Sequence, residues 1–312
     1  MKIYLISALF LVSTFCYGQE SPNFLWLVCE DQSLFFSMYG DSSAHTPNIN
    51  QLAKDGLVYQ NCHTPSPVCA PSRSSLITGM YPTTLGTQHM RAYKKSAAKN
   101  AINAHNSLPY YNAKPKKPVR FFTEDLRANG YYCSNNAKED YNMPGSPLAW
   151  DESSREAHWR NREEGQAFFS VFNFNITHES RIWKNETTYS KEELDNVRIP
   201  DFFPEDDGIK SDFLTNYKNI EKLDQQIGVI IAQLKADGLY DNTIIFFFSD
   251  HGGPFPHYKR SIYETGLRCP MVAKWNDDAW KGKTYQLVSF VDFAPTILDA
   301  ANIKREFPFE GV

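Results

Sequence analysis

The stretch Phe24-Leu25-Trp26-Leu27-Val28-Cys29 is a run of six apolar residues that ends directly in Glu30-Asp31. A continuous apolar run predicts a strand covered on both faces, as in a parallel sheet. A second strand, predicted at residues 243–249, ends in Asp250-His251. In open parallel sheets ligands bind beyond the carboxyl ends of the strands. We therefore expect these two polar pairs to share one site.

Strand and helix patterns alternate along the rest of the chain. Further strands are predicted at residues 57–59, 131–133, 168–174 and 271–273. Helices are predicted to begin at Thr46-Pro47 and to cover residues 71–77, 124–129, 213–234 and 294–301. This alternation predicts an α/β fold with a mostly parallel sheet and helices on both faces.

The composition excludes several classes of protein. The chain has 312 residues and a net charge of -4, and 42% of its residues are hydrophobic and 14% aromatic. This length suits one large domain or two ordinary ones, and the aromatic content argues against disorder and coiled coils. Mild acidity is not the footprint of a nucleic-acid binder, so no nucleic-acid partner is expected. We expect a compact enzyme.

Residues 1–18 are predicted to be a secretory signal peptide, followed by one catalytic domain over residues 19–312. Lys2 precedes a short apolar stretch, and Gly18 supplies the small residue at the cut. A lipoprotein signal ending at Cys16 is the alternative, which bulky Phe15 disfavours. The apolar stretch is shorter than the roughly 20 residues that span a bilayer, and no later segment is a candidate. We expect an exported protein, periplasmic or secreted, without membrane insertion.

The cysteines leave two readings open. The chain contains Cys16, Cys29, Cys62, Cys69, Cys133 and Cys269. With Cys16 in the leader and Cys69 in a special role, four remain, and these permit three disulfide pairings. Export allows such bridges. Buried free thiols are at least as well supported, because Cys29 and Cys133 sit in apolar strand-like stretches.

The motif Cys69-Ala70-Pro71-Ser72-Arg73 places a thiol at the start of a predicted helix. A helix N-terminus and a nearby cation both favour an anion and lower the pKa of a thiol. The alternative is a small residue packed at a helix start. Together with Leu76-Ile77-Thr78-Gly79-Met80-Tyr81-Pro82, however, the motif resembles the activation motif of the type I sulfatases, in the alkaline-phosphatase-like superfamily.

The resemblance implies an α/β/α sandwich and a specific chemistry. In that family the cysteine is oxidised by a formylglycine-generating maturation enzyme, and the hydrated aldehyde of the formylglycine is the nucleophile. Five further segments match in the family's order. They assign metal binding to Glu30, Asp31, Asp250 and His251, sulfate binding to Lys138 and Lys259, leaving-group protonation to His178, and support of the nucleophile to Arg73. The implied ion is one Ca²⁺ per chain, which prefers hard oxygen ligands.

Three departures from the family pattern qualify these assignments. The first metal pair is commonly Asp-Asp, whereas this chain has Glu30-Asp31. Many members have a histidine where this chain has Asp140, so either Asp140 or another histidine serves as the base. His89 is the candidate pocket wall. The resemblance also implies a smaller C-terminal subdomain, and because the chain ends at Val312 we expect that subdomain to be missing.

The substrate is predicted from charge and aromatic content. Between residues 91 and 120 there is no acidic residue, and the lysines are Lys94, Lys95, Lys99, Lys114, Lys116 and Lys117. Such a block is either a solvated loop or a surface that steers a polyanion. Trp150, Trp159 and Trp183 are candidates for stacking on sugar rings. We expect a sulfated glycan substrate, a glycosaminoglycan or an algal polysaccharide. The alternatives are a phosphonate monoester or phosphodiester hydrolase, and a non-catalytic glycan-binding fragment.

Overall fold

The computed structural model contains one eight-stranded sheet with helices on both faces. It describes residues 21–90, 113–116, 118–184, 187–277, 279–304 and 307–312. The predicted signal peptide and most of the lysine block, namely Lys94, Lys95, Lys99 and Lys117, lie outside the described residues.

The sheet is almost entirely parallel. Its strands are β1 (Asn23–Cys29), β2 (Leu57–His63), β3 (Tyr132–Asn136), β4 (Glu152–Ser154), β5 (Phe168–Phe174), β6 (Thr243–Ser249), β7 (Arg268–Lys274) and β8 (Gly282–Ser289). The spatial order is β4-β3-β5-β1-β6-β7-β2-β8. Strand β7 is antiparallel to both of its neighbours, β6 and β2, and the other described pairings are parallel. The predicted α/β class is confirmed.

Nine α-helices are found in the part of the chain that the structure describes. They are α1 (Pro47–Asp55), α2 (Cys69–Thr78), α3 (Pro82–Leu85), α4 (Phe122–Ala128), α5 (Ser180–Trp183), α6 (Lys191–Asn196), α7 (Asp207–Ala236), α8 (Glu264–Leu267) and α9 (Phe293–Ala300). Short 3₁₀ turns include Asn175–Thr177, directly after β5. Of the helices just named, none has both the length and the apolar content needed to cross a bilayer.

Two hydrophobic cores cover the two faces of the central strand β1. Trp26 projects to the face covered by α2, α4 and α9, where its ring centroid lies 5.6 Å from that of Phe122 and 5.0 Å from that of Phe169. Leu25 and Leu27 project to the opposite face, which is covered by α1 and α7. Alternating side chains of a strand point to opposite faces, so a strand apolar at every position must be covered twice.

The sequence predictions match the central strands and miss the edges. Residues 168–174 and 243–249 are the observed bounds of β5 and β6. Strands β4 and β8 were not predicted. Strand β8 lies at the sheet edge and is largely exposed, so its sequence has no apolar run that marks a buried strand.

The five described cysteines are free and buried. Burial raises the pKa of the thiols of Cys29, Cys62, Cys133 and Cys269 above the ordinary value. The sequence left open whether these cysteines form disulfides or are buried free thiols, and in the structure they are buried free thiols.

Candidate active site

The two polar pairs Glu30-Asp31 and Asp250-His251 converge where the central strands β1 and β6 end. The Asp250 N–H donates to the carbonyl oxygen of Cys29 at 3.0 Å, which extends the β1–β6 ladder by one residue. The Asp31 N–H then donates to Asp250 Oδ1 at 3.2 Å. Asp31 adopts φ 54°, which turns the chain sharply at the strand end. Glu30, Asp31 and Asp250 are all at most 2% exposed, so three carboxylates are buried at one point.

The donor set at this point fits a hard divalent cation. His251 Nδ1 lies 2.8 Å from the Gly252 carbonyl oxygen, which leaves Nε2 directed into the site. Nε2 lies 3.1 Å from Asp31 Oδ1 and 3.7 Å from Asp250 Oδ1. Asp31 Oδ1 is buried and has no hydrogen-bond donor among the described residues. Buried carboxylate oxygens that converge on one point are the arrangement that a bound cation satisfies.

Electrostatics keep both aspartates ionised. Burial alone would raise the pKa of Asp31, but His251, Lys259 and His178 together hold it well below its usual range. The pKa of Asp250 is lowered against the same burial effect, mainly by His251 and Arg73. Burial would lower the pKa of His251, and Asp250, Cys69 and Asp31 raise it well above the ordinary value. A metal ion would compete with this imidazole proton.

Cys69 is the first residue of α2 and faces the carboxylates. Its Sγ lies 3.2 Å from His251 Nε2, and the residue is 3% exposed. One turn along α2, Arg73 Nε donates to Asp250 Oδ2 at 3.1 Å, and Arg73 Nη1 donates to Asn173 Oδ1 at 2.6 Å. Arg73 Nη2 is buried without a hydrogen-bond partner in the described part of the chain. The helix therefore presents a thiol and an available cationic donor to the same site.

Lysines approach the site from two sides. Lys138 follows β3, and its Nζ donates to Glu30 Oε2 at 2.7 Å. Lys259 lies in the segment between β6 and α8, and its buried Nζ donates to Asp31 Oδ2 at 2.8 Å. Burial would lower the pKa of Lys259, but Asp31 and Cys69 raise it. Each ammonium group therefore contacts one of the carboxylates of the candidate site.

His178 lies beside the second lysine, on the loop that follows β5. The Ser180 N–H donates to His178 Nδ1 at 3.2 Å, which assigns the proton of the neutral ring to Nε2. Nε2 lies 3.4 Å from Lys259 Nζ and 4.0 Å from Asp31 Oδ2. Its side chain is 30% exposed, so this ring borders both the buried centre and solvent.

Asp140 and His89, the two other predicted residues, lie near Lys138 and the loop that follows it. Asp140 adopts φ 54°, and its Oδ2 lies 4.0 Å from Lys138 Nζ, so it borders the first lysine. His89 is exposed, and the Asn142 side chain binds its carbonyl oxygen, which places it next to the loop that follows Lys138. Its ring lies 3.4 Å from the Gln88 amide.

Of the three tryptophans suggested for sugar stacking, Trp159 is a core residue and Trp150 packs against the core. Trp159 is fully buried and stacks on Phe168, with ring centroids 5.8 Å apart. Trp150 is half-buried and stacks on Phe169. The hypothesis is wrong for Trp159, because an enclosed indole offers no face to a sugar. Trp183, at 67% exposed, remains a candidate.

Two charged residues that sequence reasoning missed complete the site. The Glu179 N–H donates to Asp31 Oδ2 at 2.7 Å, and its Oε1 lies 3.2 Å from Lys259 Nζ. Arg260 donates to both Glu179 carboxylate oxygens, at 3.1 and 2.8 Å. Their positions in the sequence could have indicated them, because Glu179 directly follows His178 and Arg260 directly follows Lys259.

The centre holds as many carboxylates as lysine and arginine side chains, and the His251 imidazole, whose pKa is raised, lies beside them. Three carboxylates, Glu30, Asp31 and Asp250, lie among three cations, which are Arg73, Lys138 and Lys259. A divalent cation held by the carboxylates would leave the cations in excess. Such a centre suits a negatively charged ester placed next to Cys69.

The sequence of the chain is similar to those of known proteins. Residues 22–303 match the sequence profile of the Sulfatase family. The chain is 42% identical to an "Ulvan-active sulfatase" from Formosa agariphila, an alignment that covers 94% of this chain and 54% of the relative. This chain therefore spans about half the length of that relative.

Solved structures with the same fold include enzymes of more than one activity. A 2-O GAG sulfatase aligns with a TM-score of 0.68 at 17% identity, over 94% of this chain and 73% of that chain. A phosphonate monoester hydrolase of Agrobacterium radiobacter aligns with a TM-score of 0.67 at 15% identity, over 93% and 75%. At these identities the likeness concerns the fold alone.

Proposed function

Because the chain belongs to the Sulfatase family, we propose that it hydrolyses sulfate esters of a glycan at the centre built around Cys69. The observation that carries the proposal is the placement of the thiol at the start of α2, 3.2 Å from His251 and among three cations and three carboxylates. An anionic ester repels a nucleophile until its oxygens are neutralised, and this centre holds the cations that the task needs.

Cys69 would act after its conversion to formylglycine by a maturation enzyme. The hydrated aldehyde would supply two hydroxyl groups on one carbon, one to attack sulfur and the other to expel sulfate as the aldehyde returns. The free Nη2 donor of Arg73 supports a role in holding this group. Next to it, Ser72 donates its hydroxyl to the Asp250 carbonyl oxygen, which fixes the first turn of α2 against the end of β6.

The other residues bind the ester and move one proton. Glu30, Asp31, Asp250 and His251 would hold a calcium ion, which when bound would neutralise the oxygens of the ester. Lys138 and Lys259 would bind the remaining oxygens from two sides. His178 would protonate the leaving sugar oxygen through Nε2, because Nδ1 accepts from the Ser180 N–H and the ring borders both the buried centre and solvent.

For the substrate we propose a sulfated polysaccharide, with ulvan as the first to be assayed. Support comes from the 42% identity to an ulvan-active sulfatase. Export, proposed from the predicted signal peptide, would bring the enzyme to a polymer outside the cell, in the periplasm or the medium. The lysines of residues 91–120 would attract the polyanion at long range.

Matched ester pairs test the proposed reaction. The chain is co-expressed with a formylglycine-generating enzyme and assayed with 4-nitrophenyl sulfate, bis-(4-nitrophenyl) phosphate and phenyl phosphonate esters, and then with ulvan and glycosaminoglycans. We expect kcat/KM for the sulfate ester to exceed that for either phosphorus ester, and sulfate to be released from ulvan. Preference for a phosphorus ester would contradict the proposal. Glycan binding without turnover, in matured protein, would identify a non-catalytic binding protein.

Replacing His178 by alanine should affect substrates according to their leaving group. A sugar alkoxide needs a proton as it leaves, whereas nitrophenolate does not, so we expect kcat to fall about 10²- to 10³-fold on a sugar sulfate and less than about tenfold on 4-nitrophenyl sulfate. The exposed His45 provides the control, since its alanine variant should match the wild type on both. Equal losses on the two substrates would exclude His178 as the proton donor.

A further inference from the structure

Glu179 makes contacts to three parts of the candidate site although no motif pointed to it. Its N–H donates to Asp31, its carboxylate contacts Lys259, and it directly follows His178 in the chain. The residue is 6% exposed. A carboxylate buried to this extent requires partners of opposite charge, and it has two.

The ion pair between Glu179 and Lys259 differs from the ion pair between Asp31 and Lys259, because only Asp31 is a candidate metal ligand. Two carboxylates lie within 4 Å of Lys259 Nζ in the described chain, Asp31 at 2.8 Å and Glu179 at 3.2 Å. Asp31 is a candidate metal ligand, so an ion would share its charge. Glu179 is not among the candidate ligands, and it is therefore the anion that can hold Lys259 whatever the state of the centre.

Arg260 in turn fixes Glu179. Its guanidinium donates to both carboxylate oxygens, the fork geometry that restricts a carboxylate most strongly. The Arg260 N–H donates to the Pro67 carbonyl oxygen at 2.8 Å, two residues before Cys69. The pair thereby connects the loop after β5, the loop that carries Lys259 and the segment that leads into α2.

We propose that Glu179 is a positioning residue, which is clamped by Arg260 and holds the Lys259 ammonium in the direction of the nucleophile. This rests on the proposed function for the identity of the reaction. Misplacement of a binding group by about 1 Å can cost on the order of 100-fold in rate. Glu179 therefore influences turnover through Lys259 without touching the ester.

A double-mutant cycle tests whether Glu179 acts through Lys259. We expect Glu179→Gln to lower kcat/KM for 4-nitrophenyl sulfate about 10- to 100-fold. In the Lys259→Met background the same change should alter kcat/KM by less than about threefold, because the group that it positions is gone. Glu164→Gln, at an exposed loop residue, makes the same chemical change and should match the wild type.

The cycle separates positioning from a general structural role. An equal loss in both backgrounds would overturn the proposal, and so would a loss below about threefold in the single variant. If Glu179→Gln does not fold, Arg260→Gln replaces it, because it releases the same carboxylate while keeping its charge. The decrease in kcat/KM caused by Arg260→Gln should again be absent in the Lys259→Met background. A decrease that persists in that background would overturn the proposal.

Binding of inorganic sulfate, followed by calorimetry, distinguishes failure of this proposal from failure of the proposed function. Glu179→Gln should weaken sulfate binding about tenfold relative to the wild type, with no further change on top of Lys259→Met. If no variant hydrolyses sulfate esters but this pattern holds, the proposed reaction is wrong and the positioning role stands. If turnover is present and sulfate affinity is the same in wild type and variant, the positioning role is wrong.

Discussion

Replacing Cys69 by alanine is expected to abolish sulfate-ester turnover, with a loss of about 10⁴- to 10⁶-fold in kcat. The reason is chemical, because alanine cannot be oxidised to formylglycine and the centre then holds cations without a nucleophile. The fold should persist, since one buried sulfur atom at the start of α2 is worth only about 1 kcal/mol of unfolding free energy. Turnover and urea denaturation measure the two effects separately.

Peptide mass spectrometry across Cys69 gives the same prediction a covalent readout. Conversion to formylglycine removes roughly 18 Da from the wild-type peptide. Cys133→Ala is the matched control, because it removes another buried thiol, in β3, and should keep both the mass loss and the turnover. Residual turnover above a tenth of wild type in Cys69→Ala would place the nucleophile elsewhere.

Replacing Asp250 by asparagine should remove calcium binding and turnover together. The Asp250 carboxylate lies between the Asp31 N–H and Arg73, so asparagine keeps the size of the side chain and removes its charge. Neutralisation of the ester by the ion is worth several kcal/mol, so we expect kcat to fall about 10³-fold or more. In the wild type, calcium at 100 times its Kd should add about 2.7 kcal/mol to the free energy of unfolding.

Thermal unfolding with calcium and with a chelator measures this second prediction. We expect calcium to raise the Tm of the wild type by about 5–10 °C and that of Asp250→Asn by less than about 2 °C. Asp212→Asn, at an exposed position of α7, should respond as the wild type does. A full calcium shift in Asp250→Asn would remove Asp250 from the set of ligands.

The part of the fold that was predictable from the sequence is the part buried on both faces. Strands β5 and β6 are mostly apolar and buried along most of their length, and their observed bounds are the predicted ones. The antiparallel direction of β7 and the edge strand β8 depend on chain connections and pairings that leave no local pattern. Local sequence therefore specifies the centre of the sheet, and tertiary contacts specify its edges.

The same division applies to the site. Glu30-Asp31 and Asp250-His251 were expected to meet because parallel strands end at one edge, and the structure places them within hydrogen-bond distance. Glu179 and Arg260 were missed because charged residues in loops are usually solvated, and only the folded chain shows that they pair. Trp159 was expected to be exposed because it lies outside the predicted strands and helices, but it is fully buried.

The burial of Cys69 has a consequence for when its modification can take place. In the folded chain the thiol is buried and contacts His251, which lies 182 residues later in the sequence. At translation rates of about 5–20 residues per second, that length takes about 10–40 s to synthesise. A maturation enzyme would therefore have an interval of this order in which to modify Cys69. During that time β6 and His251 are not yet synthesised, and Cys69 belongs to an accessible nascent chain.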